Sequence, residues 1–172
     1  ERKEVKDLLA YLRLIVNTVD TVSLKRVVNF PPRGVGVKTV EKCEKYSREK
    51  GISLLASTAD PDAFGLRGKP AEGLKDFNSL VAKYAELLPK LSAAELSSAV
   101  VDELGLVSFY KEQATTEATE QLANVQELLN SIDDFCKENP KTGLREFLEE
   151  VSLLTDLDNW NQDSNSVTLM TT

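Results

Sequence analysis

PPRGVGVKT, residues 31–39, decides the fold. Two glycines beside a lysine and a threonine either form the phosphate loop of a nucleotide-binding α/β domain or join two helices. A Walker A loop needs G-x-x-x-x-G-K-[ST], because its lysine reaches the terminal phosphates from the first turn of the following helix. Here Val37 stands between Gly36 and Lys38, and position 31 holds Pro in place of Gly. A G-x-G-x-x-G fingerprint fails too, since position 39 is Thr. What remains is a hairpin between two helices, entered through Pro31-Pro32, with a helix starting near Thr39.

Working outward, apolar residues recur at helical spacing nearly everywhere. Val5, Leu8, Leu9, Leu12, Ile15 and Val16 form a first stripe. Ser23 is placed to cap a short helix through Asn29, which the proline pair stops. Residues 39–50 read as a charged helix with Val40, Cys43, Tyr46 and Ser47 inward and Gly51 as its C-terminal cap. A short helix at 52–56 leads into TADPDAFGLRGKPAEG, residues 58–73, whose prolines and glycines mark a long loop. Leu74, Phe77, Leu80, Val81, Tyr84 and Leu88 make the next stripe, ending before Pro89. Ser92 and Glu95 have capping-box spacing, so a new helix runs from there to about Leu104, before Gly105.

The longest helix is predicted over 116–137, burying Leu122, Val125, Leu128, Leu129, Ile132 and Phe135. A last one, 143–154, carries Leu144, Phe147, Leu148, Val151 and Leu154. Residues 155–166 are polar and read as flexible. VTLMTT, residues 167–172, reads as a short terminal β-strand, yet no other segment offers it a partner, and a lone strand leaves its backbone groups unsatisfied. Because the first residues already lie inside an amphipathic pattern and lack Met, the chain is expected to be a piece of a longer protein. The fold class is all-α and multi-helix, apart from that strand.

Composition narrows the chemistry. At 172 residues, 41% apolar and 28% charged, the chain suits one globular domain. No apolar run nears the roughly 20 residues of a membrane span. Cys43 and Cys136 lack C-x-x-C spacing, which indicates reduced, buried thiols and neither a zinc site nor a disulfide framework. The absence of histidine removes the commonest general base, the Ser/His and Cys/His nucleophile pairs and the imidazole metal ligands. No catalytic or metal-ligating set is therefore assigned. The net charge of −7 argues against nucleic acid, but its distribution does not. Residues 25–50 hold eight basic side chains and three acidic ones, a balance of +5, which leaves −12 elsewhere. Such asymmetry aims one surface at a polyanion; a solvated helix of mixed charge accounts for it equally well.

Within the hairpin, Gly34 and Gly36 flank Val35 and permit a close backbone approach, leaving the amides of the next helix facing outward, where they bind phosphate oxygens without reading bases. Arg33 and Lys38 add charge. The Thr39 hydroxyl either caps the helix or touches a phosphate. A tight helix–helix turn with ordinary capping is the other reading of the same residues.

Taken together, ERKEVKDLLAYLRLIVN at 1–17 and SLKRVVNFPPRGVGVKTVEK at 23–42 resemble UvrD/PcrA/Rep-type superfamily 1 DNA helicases. The resemblance continues in order through NVQELLN at 124–130 and FLEEVSLLTDLD at 147–158, and ends on VTLMT at 167–171, which is similar to the strand leading into a helicase motif of the second motor domain. It covers essentially the whole chain. Around Asn124 many relatives carry R-x-E-N, where this chain has Gln121, Ala123 and Asn124; Val35 replaces a commoner Ile.

The resemblance implies a helical domain, 2B, inserted into the RecA-like motor domain 2A: residues 18–150 would be 2B, residues 1–17 the N-terminal stub of 2A, and residues 151–172 a linker and C-terminal stub. The parent would be a cytoplasmic, ATP-dependent 3'-5' helicase that binds ATP and Mg through parts outside this chain. The fragment would need no cofactor and would be inactive alone. Its Gly-x-Gly hairpin would grip the backbone of duplex DNA, or of a single-strand/duplex junction, through Arg33, Gly34, Val35, Gly36, Lys38 and Thr39, and would regulate unwinding. Partners would be the remaining helicase domains and repair or transcription proteins, with no membrane. The alternative is a helical protein–protein interaction module of a repair or recombination complex, favoured by the acidic body.

Overall fold

The computed structural model of the chain describes the backbone of residues 2–171 and, within it, the side-chain surroundings of all but Asn159 and 162–171. Among the described residues nine α-helices follow one another: α1 (Lys3–Val16), α2 (Thr21–Val27), α3 (Val37–Lys50), α4 (Leu54–Ser57), α5 (Gly68–Leu87), α6 (Ala93–Leu104), α7 (Leu106–Gln113), α8 (Thr116–Glu138) and α9 (Leu144–Thr171). A 3-10 turn, Pro61–Phe64, lies between α4 and α5. Among the described residues there is no strand.

The sequence stripe of α1 understates its burial. Besides Leu8, Leu9, Leu12 and Ile15, the helix buries Ala10, Tyr11 and Leu14, so apolar side chains surround its axis and it lies inside the bundle, against α2, α5, α8 and α9. Two of its carboxylates are enclosed as well: Asp7 accepts from Arg26 Nε at 2.8 Å and Lys3 Nζ at 3.1 Å, and Glu4 from Asn124 Nδ2 at 2.7 Å. A buried carboxylate requires such partners, because desolvation of an unpaired charge costs several kcal/mol. Helix α5 contributes Leu74, Phe77 and Val81, and α6, α7 and α8 contribute Leu96, Val100, Leu106, Val125 and Ile132, all in one continuous core. Cys43 is buried and Cys136 half-buried; both are free thiols.

Several boundaries follow local chemistry closely. The Ser92–Glu95 capping box is formed on both sides, and Gly51 and Gly105 close α3 and α6 with positive φ. Other boundaries differ from the sequence expectation. The cap of α2 is Asp20, whose carboxylate takes the Ser23 amide at 3.0 Å and the Ser23 hydroxyl at 2.7 Å, so the helix starts two residues before Ser23. The expected loop at 58–73 is partly helical, since α5 begins at Gly68. Pro70 is tolerated there because first-turn amides have no intrahelical acceptor. Helix α7 was not anticipated: Gly105 ends α6 and opens α7, which buries only Leu106 and Tyr110.

The C-terminal expectation is corrected. In place of a flexible 155–166 and a strand at 167–172, α9 runs on as helix to Thr171; residue 172 lies outside the described residues. The physical reason is the one that made the strand awkward: without a partner strand among the described residues, a helix is the conformation that satisfies backbone groups from within its own segment. Past Val151 the helix exposes Leu153, Leu154, Leu157 and Trp160.

Candidate nucleic-acid interface

The hairpin between α2 and α3 is built on Asn29. Its Oδ1 accepts from the Arg33 amide at 2.7 Å and from the Val35 amide at 3.0 Å, folding the glycine-containing segment around one acceptor. Val35 is 2% exposed, so its side chain is an anchor in the core and unavailable to a ligand. Beneath it passes α5, where Gly73 permits the close approach. A Cβ at Gly73 would lie 2.5 Å from the Arg33 carbonyl oxygen and 3.2 Å from Val35 Cγ2. Gly34 holds φ at +78°, and the aliphatic stem of Lys69 covers it, with Cγ 2.9 Å from where a Cβ would stand.

Arg33 faces inward. Its Nη1 donates to the carbonyls of Val27 (3.2 Å), Val28 (3.1 Å) and Phe30 (2.9 Å), and Nη2 donates to the Tyr11 hydroxyl at 2.6 Å. The guanidinium also lies 5.2 Å from the Phe77 ring centroid and 5.8 Å from that of Tyr11. Those carbonyls include the open C-terminal end of α2, where a fixed cation satisfies both the hydrogen bonds and the helix dipole. The Tyr11 hydroxyl in turn donates toward the Val27 and Phe30 carbonyls. Burial pushes the Tyr11 phenol up to about 12, against the lowering effect of Arg33. Arg33 and Tyr11 thus lock the entrance of the hairpin from below.

The outward side is different. Gly36 is the cap residue of α3, so no side chain closes the helix, and the first intrahelical bond is Val40 N–H to Gly36 C=O at 3.1 Å. The amides of Val37, Lys38 and Thr39 therefore have no intrahelical acceptor. Thr39, expected near the cap, sits half-buried at the third helical position. Lys38 is exposed, with Lys42 one turn on and Lys45 three residues further. Among the described residues none of Lys38, Lys42, Lys45 and Lys69 is in an ion pair, whereas Lys25 and Arg48 both pair with Glu44, at 3.1 and 3.9 Å. Of the basic segment read from the sequence, Lys25, Arg26 and Arg48 are paired, whereas Lys38, Lys42, Lys45 and Lys50 are in no ion pair among the described residues. A helix N-terminus carries about half a positive charge, so the amides and ammonium groups here act with one sign.

Of the six residues expected at the site, the structure brings Gly34, Gly36, Lys38 and Thr39 to one edge and turns the side chains of Arg33 and Val35 away from it. Sequence reasoning missed Asn29, Gly73 and Lys69. Gly73 left a signal, since a glycine inside a helix is disfavoured by about 1 kcal/mol and usually marks close packing. Lys69 left none, because only tertiary structure places it over Gly34. Asn124 also acquires a role: its side-chain amide donates a hydrogen bond to the Glu4 carboxylate at 2.7 Å. Among the described residues no helix is long and apolar enough to cross a membrane.

Comparison with known proteins bears on what this edge meets. Residues 1–172 match the model of the UvrD-like helicase C-terminal domain family. The chain is 32% identical over 177 residues to the ATP-dependent DNA helicase PcrA of Bacillus subtilis, covering 99% of this chain and 24% of that protein. It is 34% identical over 173 residues to the ATP-dependent DNA helicase PcrA of Staphylococcus aureus, with the same coverage of 99% and 24%. The chain thus spans about a quarter of the length of the curated relatives it matches.

Proposed function

Because this chain belongs to the UvrD-like helicase C-terminal domain family, we propose that it is the accessory, duplex-gripping part of an ATP-dependent DNA helicase. The observation that carries the reading is the uncapped start of α3 at Gly36, flanked by unpaired Lys38 and Lys69. Backbone amides and lysines on one edge suit phosphate oxygens and make no use of base identity. Such a contact tolerates any sequence, as a translocating enzyme requires.

In this reading Gly34, Gly36, Lys38 and Thr39 face the DNA backbone, Lys69 joins them, and Arg33 and Val35 act from beneath. Residues 18–150, from α2 into the first turns of α9, correspond to domain 2B. Helices α1 and α9 pack against each other, which suits the two connections of a domain inserted into 2A. ATP and Mg would be held by other parts of the parent, and rotation of this body on its connections would regulate unwinding.

The test is fluorescence anisotropy of a labelled duplex with the chain across a salt series. Affinity should fall linearly in logarithmic terms as salt rises. Gly36→Glu should abolish binding while leaving the fold intact, since a Cβ there meets nothing within 4 Å and φ is −87°. Unchanged binding by that variant would sink the proposal. A second reading, a docking module for repair or transcription proteins, is favoured by the exposed Leu153, Leu154, Leu157 and Trp160 of α9. It predicts no binding to any DNA form even at low salt.

A further inference from the structure

We infer that Asn29 and Gly73 are positioning residues that set the backbone of the hairpin for phosphate, an inference that rests on the DNA-binding reading above. A segment holding Gly34 and Gly36 has wide conformational freedom when unconstrained. Amides that must meet phosphate oxygens gain affinity when their directions are fixed before binding, because ordering them on contact would oppose association. Two constraints supply that order, and neither needs to touch DNA.

The first is the double acceptor. One oxygen of Asn29 holds the amides of Arg33 and Val35 at 2.7 and 3.0 Å, so the residues on both sides of Gly34 turn about a common point. Asn29 is exposed, so water can satisfy the Arg33 amide if the acceptor is lost. Its bonds therefore govern the shape of the hairpin more than the stability of the fold. The second is the seat on α5. The Arg33 carbonyl oxygen sits 2.5 Å from the Cβ position of Gly73, inside any real contact distance. Adding a methyl there would lift the hairpin by on the order of 1 Å to restore ordinary contact. Val35, itself buried, transmits that lift to Gly36 one residue on.

The test uses the 172-residue chain and a labelled duplex, with amide hydrogen exchange as a second readout. Asn29→Ala and Gly73→Ala should each weaken duplex affinity about five- to tenfold through lost preorganisation. The salt slope should be unchanged, because neither removes a cation. Exchange at the Arg33 and Val35 amides should accelerate in Asn29→Ala and return to the parent rate in Asn29→Asp, which keeps the acceptor oxygen; a merely structural residue would not show that local rescue. If Asn29→Ala binds within twofold of the parent while Gly36→Glu abolishes binding, the positioning inference fails alone. If Gly36→Glu also binds normally, the DNA reading falls and the inference with it. Should Gly73→Ala prove unfolded by circular dichroism, Asn29→Ala decides.

Discussion

Replacing Arg33 by Met separates the two roles open to a cation in this hairpin. Methionine keeps an unbranched stem of similar length and removes the guanidinium that lies over the Tyr11 and Phe77 rings and donates to the Val27, Val28 and Phe30 carbonyls and the Tyr11 hydroxyl. Hydrogen bonds from a charged donor contribute about 1.5–3 kcal/mol each, but such groups act together and water reclaims part of the loss at a half-buried site. A net destabilisation of about 3 kcal/mol is the reasonable figure. For a chain of this length that lowers Tm by about 6–12 °C. Urea denaturation followed by circular dichroism measures it, with the m-value unchanged if only stability has moved. Below the unfolding range the folded variant should keep the salt slope of its DNA binding, because no phosphate contact has gone. A lost phosphate contact would lower that slope by about 0.9. A stability loss under about 1 kcal/mol together with a slope reduced by about one would refute the inward assignment of Arg33.

Lys38→Ala and Lys69→Ala should each reduce the salt slope by about 0.9, and the effect at Lys69 is the sharper test, since only tertiary contact brings it to the hairpin. Ser92→Ala should cost about 1 kcal/mol in urea denaturation through loss of the capping box, with duplex binding unaltered. Stability should fall at alkaline pH: the phenols of Tyr11 and Tyr110 are pushed up to about 12 in the fold, so between pH 10 and about 12 the unfolded chain has released protons that the folded chain retains. Urea midpoints measured across that range should decline, and Tyr11→Phe should flatten the decline.

What could be read from the sequence was whatever short-range chemistry determines. The α6 start needed only Ser92 and Glu95, and its end only Gly105. The stripe of α8 needed only its 3.6-residue period, and Leu122, Val125, Leu128 and Ile132 are indeed buried. The hairpin itself was legible from one misplaced valine. Its side-chain directions were not. Arg33 looks like a surface cation until Tyr11, Phe77 and the end of α2 are brought around it, and those lie 22, 44 and 5 or 6 residues away in the chain. The terminal strand failed for the opposite reason: VTLMTT has strand-like residues, but a strand is defined by its neighbour, and no local pattern supplies one. Helix α7 escaped because its two buried residues, Leu106 and Tyr110, are too few to show a period.

The interior position of α1 also sets the order in which the molecule is made. Its polar anchor Glu4 finds Asn124 only across 120 residues of chain, and α5, α8 and α9 all follow it. At about 5–20 residues per second, α1 waits roughly 6–24 s for the partner on α8 that closes around it. Until α5 has followed, its Leu8, Leu9, Leu12 and Leu14 have, among the helices of this chain, α2 close at hand. The nascent chain therefore carries an apolar helix that is a ready client for a chaperone, and the Glu4–Asn124 contact that closes the bundle around it joins residues distant in sequence.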